Sequence, residues 1–115
     1  QTCALPIYAT RAGVAAATVF KQRPVSELVA PPLSEKGLVI VNPPYGGRIS
    51  NRQALATVYR ALGERLLTHF SGWRVGLITS DDTLAKASRL PLEPAGPPVL
   101  HGGLRIRLYR TKALR

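Results

Sequence analysis

Gly37-Leu-Val-Ile-Val-Asn-Pro-Pro-Tyr-Gly46 decides how the rest of the chain is read. Four consecutive apolar residues, two of them valine and one isoleucine, form a short β-branched run. A strand buried on both faces of a parallel sheet reads this way. Asn42-Pro43-Pro44-Tyr45-Gly46 then stops it, because neither proline can donate to a ladder and Pro44 holds Pro43 away from helical angles. The expectation is an extended, rigid loop at the carboxyl end of the strand, where open α/β sheets place their ligands. Within four residues the loop offers an amide side chain, a carbonyl group and an aromatic ring, a set able to hold a planar amine.

Downstream, Ser50-Asn-Arg-Gln53 has the spacing of a capping box. Leu55, Val58, Tyr59, Leu62, Leu66 and Phe70 recur at helical spacing with charged residues between them, which predicts an amphipathic helix ended by Ser71-Gly72. Gly63 costs such a helix about 1 kcal/mol relative to alanine, a cost that fits a close approach to the sheet. Trp73–Thr79 reads as the next strand. Ser80-Asp81-Asp82 supplies a cap and acids for a short helix through Ser88. Arg89–Pro98 holds four of the ten prolines and reads as an irregular loop. Gly102-Gly103 joins Pro98–His101 to Leu104–Arg110 as a hairpin turn that tolerates positive φ.

Upstream, Ala9–Ala12 reads as the last turn of a helix capped by Gly13, and Thr18–Gln22 as a short strand. A turn is expected through Val25–Leu28. Gln1–Ile7 matches the conceptual translation of the end of a widely used sequencing adapter. Residues 1–7 are therefore expected to be non-native, a genuine terminal strand being the alternative, with residues 8–115 a carboxyl-terminal part of a longer polypeptide. The order strand, strand, helix, strand, helix and terminal antiparallel hairpin is an α/β pattern.

The 115 residues allow one domain with a modest core, and a 45% hydrophobic content with mean hydropathy +0.03 suits a globular piece. No apolar run approaches the roughly 20 residues that span a bilayer. A formal charge of +10 has two readings, attraction to a polyanion such as RNA or an arginine-rich coding bias on solvated faces. Cys3, the only cysteine, excludes an intrachain disulfide and fits a reducing cytoplasm. His69 and His101 lack a second ligand nearby, so no metal site is expected. Asp81 and Asp82 suit helix initiation better than catalysis, and Arg105, Arg107 and Arg110 suit decoration of the hairpin.

Leu38–Gly46, Tyr59-Arg-Ala-Leu-Gly63, Gly72-Trp73-Arg74, Leu84-Ala85-Lys86 and His101-Gly-Gly-Leu-Arg105 together resemble the THUMP-associated RNA guanine-N2 methyltransferases, a group of class I S-adenosylmethionine-dependent enzymes. The resemblance implies an α/β fold, the carboxyl-terminal half of a Rossmann-like sheet. That half would hold strands 3, 4 and 5 and the antiparallel 6/7 hairpin in the order 4-5-7-6, with strands 1 and 2 absent. It implies that Asn42, Pro43, Pro44 and Tyr45 are catalytic and that Tyr45, Gly46 and Arg48 bind substrate. Asn42 is the one residue implied at the cofactor, S-adenosylmethionine. The glycine-rich loop and the acidic residue that hold this donor in the family are not in the sequence, so the chain alone is expected to be inactive. Gln22-Arg23-Pro24 also stands where members often carry an acid.

The implied partner is RNA, ribosomal or transfer, with no membrane or metal. Asn42 Oδ1 and the Pro43 carbonyl would accept the two N–H groups of a base amine, and Tyr45 would stack on the flipped base. For Asn42 taken alone, capping its own turn is the competing role; for Arg48 it is simple solvation, and for Tyr45 burial as a loop anchor. DNA adenine and protein-glutamine methyltransferases share the Asn-Pro-Pro-Tyr tetrad and remain alternatives, as does a basic nucleic-acid-binding module without chemistry.

Overall fold

Alternation in the strands and the 3.6-residue period of the long helix generate one sheet with helices on one of its faces. The structure, a computed structural model, describes residues 4–32, 35–45 and 51–115. In chain order it runs α1 (Leu5–Arg11), two 3-10 turns (Ala15–Ala17 and Val25–Glu27), β1 (Leu38–Val41), α2 (Arg52–His69), β2 (Arg74–Thr79), α3 (Asp82–Ala87), β3 (Glu93–Pro94), β4 (Val99–His101) and β5 (Leu104–Arg110). β1 and β2 are parallel, with Val39 opposite Val75 and Val41 opposite Leu77. β5 returns antiparallel to β2, pairing Leu77 with Tyr109 and Thr79 with Arg107. β4 pairs antiparallel with β5 across Gly102-Gly103, whose φ angles of 58° and 81° are those the turn requires. The expected pairings 4-5, 5-7 and 7-6 are therefore present.

Because side chains alternate across a strand, this register assigns two faces. Val75, Leu77, Thr79 and Tyr109 lie on the buried face, under Leu55, Tyr59, Leu62 and Leu66 of α2 and Leu84 and Ala85 of α3. Each apolar side chain buried there contributes about 1.5–3 kcal/mol. The carboxyl end of the chain closes this core: Leu114 is buried, its N–H donates to the Trp73 carbonyl at 2.8 Å, and the Thr111 N–H donates to the Val75 carbonyl at 2.9 Å.

Several expectations are corrected. β1 is not buried on both faces, since Leu38 and Ile40 are 52% and 60% exposed and only Val39 and Val41 pack against the core. Thr18–Gln22 is not a strand: nothing among the described residues pairs with it, and Val19 is 78% exposed. β-branched residues alone cannot make a strand where no ladder partner exists. Val58 faces outward from α2. The cap of α2 is Asn51, whose Oδ1 accepts from the Ala54 N–H at 3.0 Å, one residue later than the capping-box reading. Gly63 packs against α3 rather than the sheet, because a Cβ there would lie 1.7 Å from the Ser88 carbonyl oxygen. The proline-rich loop contains β3, which pairs Glu93 with Arg110 and Pro94 with Tyr109.

Candidate functional site

β1 and β2 end side by side, and the segments leaving their carboxyl ends form the candidate site. Asn42 and Pro44 are exposed on the loop after β1, Pro43 is buried, and Tyr45 is half-buried. The alternation explains the order, since Pro43 continues the inward phase of Val39 and Val41. Pro43 is turned inward and Asn42 is left exposed. The structure thus places Asn42, Pro43, Pro44 and Tyr45 together. Gly46 and Arg48 lie outside the described residues.

The loop is tied down by a residue that sequence patterning assigned only to the core. Tyr59 of α2 is fully buried and sends its hydroxyl to the end of the sheet. There it donates to the Pro44 carbonyl at 2.9 Å and lies 2.9 Å from the Thr79 hydroxyl. Thr79, also fully buried, is the last residue of β2, and its hydroxyl accepts from the Asp81 N–H at 3.3 Å. Burial pushes the Tyr59 phenol up from its ordinary value, and the Thr79 hydrogen bond partly opposes the shift; Asp81 and Tyr45 add to it. A tyrosine at a helix position whose hydroxyl must reach a partner was the available sequence signal.

Asp81 belongs to α3, where its Oδ1 accepts from the Thr83 and Leu84 N–H groups and its carboxylate pairs with Arg52 at 2.8 Å. Asp82 accepts from the Tyr109 hydroxyl at 3.1 Å and pairs with Lys86 at 3.1 Å. The hydrogen bond to Lys86, then that to Tyr109, holds its carboxyl below the ordinary range. Asp81 and Asp82 are therefore already engaged in the fold, in keeping with a helix-starting role.

A shallow cleft of about 470 Å³ opens beside Thr79, lined by Ser80, Asp82, Arg105, Arg107 and Tyr109. Arg110 lies outside it and pairs with Glu93 at 3.7 Å. The three arginines thus do not act as one cluster. Two border the cleft beside Thr79, and the third braces β3. Among the described residues there is no group of three or more His, Cys, Asp or Glu side chains placed to hold a metal ion, and no helix is long and apolar enough to cross a membrane.

A parallel strand pair with a helical crossover, an antiparallel return strand and a proline-stiffened loop at the strand ends match an α/β fold of the class I methyltransferase type. SMU.472, described as a methyltransferase and solved with SAH, superposes with a TM-score of 0.77 at 22% identity over 93% of this chain and 27% of its own. A protein of Clostridium difficile 630 described as a possible methylase gives 0.75 at 22% identity with the same coverage. The chain belongs to the family of the RMKL-like methyltransferase domain (UPF0020), whose model matches residues 6–93. The ribosomal RNA large subunit methyltransferase K/L of Marinomonas sp. is 44% identical over 79 residues, 68% of this chain. That of Legionella pneumophila is 37% identical over 101 residues, 88% of this chain. The chain spans 11% and 14% of the length of these two relatives.

Proposed function

We propose that this chain is the base-holding part of an S-adenosylmethionine-dependent methyltransferase that modifies an exocyclic amine in RNA, guanine N2 of ribosomal RNA, in the cytoplasm. The observation that carries the reading is the loop itself. Asn42 stands exposed at the carboxyl end of β1 behind a buried Pro43, and Pro44 is held by the core through Tyr59. The relatives that match along the flanking sequence are named for ribosomal RNA, which favours RNA over DNA or protein as the substrate.

The amine of a guanine is a weak nucleophile because its lone pair is delocalised into the ring. Asn42 Oδ1 and the Pro43 carbonyl accept its two N–H groups, fix the nitrogen in line and favour a pyramidal geometry. Tyr45 supports the ring of the extruded base. No strong base is needed, since positioning can supply several kcal/mol of barrier reduction and the nitrogen, made acidic by methylation, releases its proton to water. S-adenosylmethionine supplies an electrophilic methyl group when bound. The residues here fit the acceptor side rather than the donor side. Asp81 and Asp82 are engaged by the fold, no glycine-rich loop is in the sequence, and only Asn42 is assigned toward the donor. Gly46 and Arg48 are assigned to substrate, and residues 1–7 are read as foreign to the enzyme.

Two measurements test this. Calorimetric titration of the isolated chain with S-adenosylmethionine should show no micromolar binding; such binding would overturn the assignment of the donor site elsewhere. In a hybrid carrying this chain in place of the matching region of the Marinomonas relative, Asn42→Ala should lower methyl transfer to ribosomal RNA by about a hundredfold or more with RNA binding retained. Equal loss of both would make Asn42 a structural residue.

A further inference from the structure

Tyr59, Thr79 and Asp81 form a chain of hydrogen bonds whose proton directions are fixed by elementary valence. The Pro44 carbonyl can only accept, so Tyr59 places its single hydroxyl proton there, at 2.9 Å. Tyr59 Oη then has only lone pairs left, and the 2.9 Å contact to Thr79 must be Thr79 donating. The Thr79 Oγ, having given its proton, accepts the Asp81 N–H at 3.3 Å. The order is therefore Asp81 N–H to Thr79, Thr79 O–H to Tyr59, and Tyr59 O–H to the Pro44 carbonyl.

We infer that Tyr59 is a positioning residue, which sets the loop geometry for the acceptor amine by pinning the Pro44 carbonyl, just beyond β1, to the end of β2. A Pro-Pro pair has no N–H groups with which to anchor itself, so a loop built on Pro43-Pro44 can be fixed to the core only through its carbonyls and ring packing. Two adjacent carbonyls leave this pair, and in the proposed site they have opposite duties. Tyr59 holds the Pro44 carbonyl toward the core, which leaves the Pro43 carbonyl and the Asn42 side chain for the substrate. The hydroxyl that does this belongs to a fully buried residue and accepts from a second one, Thr79, so that the two directed hydrogen bonds reinforce one another. The same chain reaches Asp81, which caps α3 and pairs with Arg52 at the start of α2. The loop, both strand ends and both helix starts are thereby set in one frame. This role of Tyr59 rests on the proposed function only for its consequence in catalysis; the pinning of the loop does not.

The sequence provides a clean probe. Pro44-Tyr45 is the only Pro-Tyr pair in the chain, so labelling proline at its carbonyl carbon and tyrosine at nitrogen yields one correlated signal. In the chain as it stands, Tyr59→Phe should keep the secondary structure and the burial of Trp73. It should move the Pro44 carbonyl resonance upfield, as loss of a hydrogen bond does, and split or broaden the signal. Leu62→Val, a core change on the same helix, controls for lost stability and should leave the signal in place. Thr79→Val should leave one signal with a smaller shift, because Tyr59 keeps its acceptor.

An unmoved signal in Tyr59→Phe, or an equal change in Leu62→Val, would overturn the inference. In the hybrid enzyme, Tyr59→Phe should lower kcat about tenfold to a hundredfold while KM for RNA holds. If instead KM rises and kcat holds, the positioning role in catalysis fails. If Asn42→Ala leaves methyl transfer intact, the proposed function fails, and the resonance experiment still decides whether Tyr59 pins the loop.

Discussion

Gly63 shows how one missing atom joins two helices. A Cβ at that position would sit 1.7 Å from the Ser88 carbonyl oxygen and 2.7 Å from its carbon, atoms of the backbone that ends α3. Backbone cannot yield as a flexible side chain does. Gly63→Ala gains about 1 kcal/mol of helix propensity and is still expected to destabilise the chain, by about 1–3 kcal/mol net, as urea denaturation can measure. Stabilisation would show that α2 and α3 are not in such close contact. Tyr59 gives a second residue-scale prediction, with its sign fixed by linkage. Its folded value is raised above the ordinary 10.0, so its contribution to stability is complete below pH 10 and is lost as pH rises through the folded value. The urea midpoint should therefore fall on the alkaline side, and Tyr59→Phe should flatten that fall. Tyr109, raised by burial and then by its bond to Asp82, should leave a smaller alkaline dependence in the variant.

Elements here are set by caps and partners as much as by propensity. α3 has six residues, too few to hold themselves as a helix in water, and depends on the Asp81 cap and on burial of Leu84 and Ala85. Asp81→Ala should cost about 1–2 kcal/mol, while Arg52→Ala should cost under about 1 kcal/mol, because Arg52 is 64% exposed and solvent screens the pair. A double-mutant cycle measured by urea denaturation separates the two contributions. The period of Leu55, Tyr59, Leu62 and Leu66 needs no partner to be recognised, and Gly102-Gly103 carries its own turn. The strand pairing of Glu93-Pro94 was hidden, since proline and glutamate have poor strand propensity and only the distant β5 creates their ladder, through Arg110 and Tyr109. Thr18–Gln22 shows the converse, good composition without a partner. At the site, Asn42-Pro43-Pro44-Tyr45 was legible because prolines dictate the local backbone. The Tyr59 bond to Pro44 was not, because a contact across 15 residues depends on how α2 docks.

On the scale of the whole molecule the sheet is covered on one side only. Leu38 and Ile40 of β1 and Leu108 of β5 share the face opposite α2, where Ile40 and Leu108 converge over Gly76; a Cβ added there would meet Ile40 Cδ1 at 2.8 Å and Leu108 Cδ1 at 3.7 Å. Ile40 is 60% and Leu108 41% exposed, so apolar surface of this kind is available to other molecules. β1 pairs only with β2 among the described residues, which adds an open ladder edge beside that face. The isolated chain is therefore expected to bind a hydrophobic dye and to lose solubility with concentration. Ile40→Thr together with Leu108→Thr should reduce both effects and change the urea midpoint by about 1 kcal/mol or less, because side chains that are mostly in water lose little on becoming polar. Leu77→Thr, on the covered face and fully buried, should instead unfold the chain or cost about 2–5 kcal/mol. The contrast between the two variants reads the sidedness of the sheet directly. Equal damage from both would mean that Ile40 and Leu108 are buried in solution, and equal tolerance would mean that α2 does not cover Leu77.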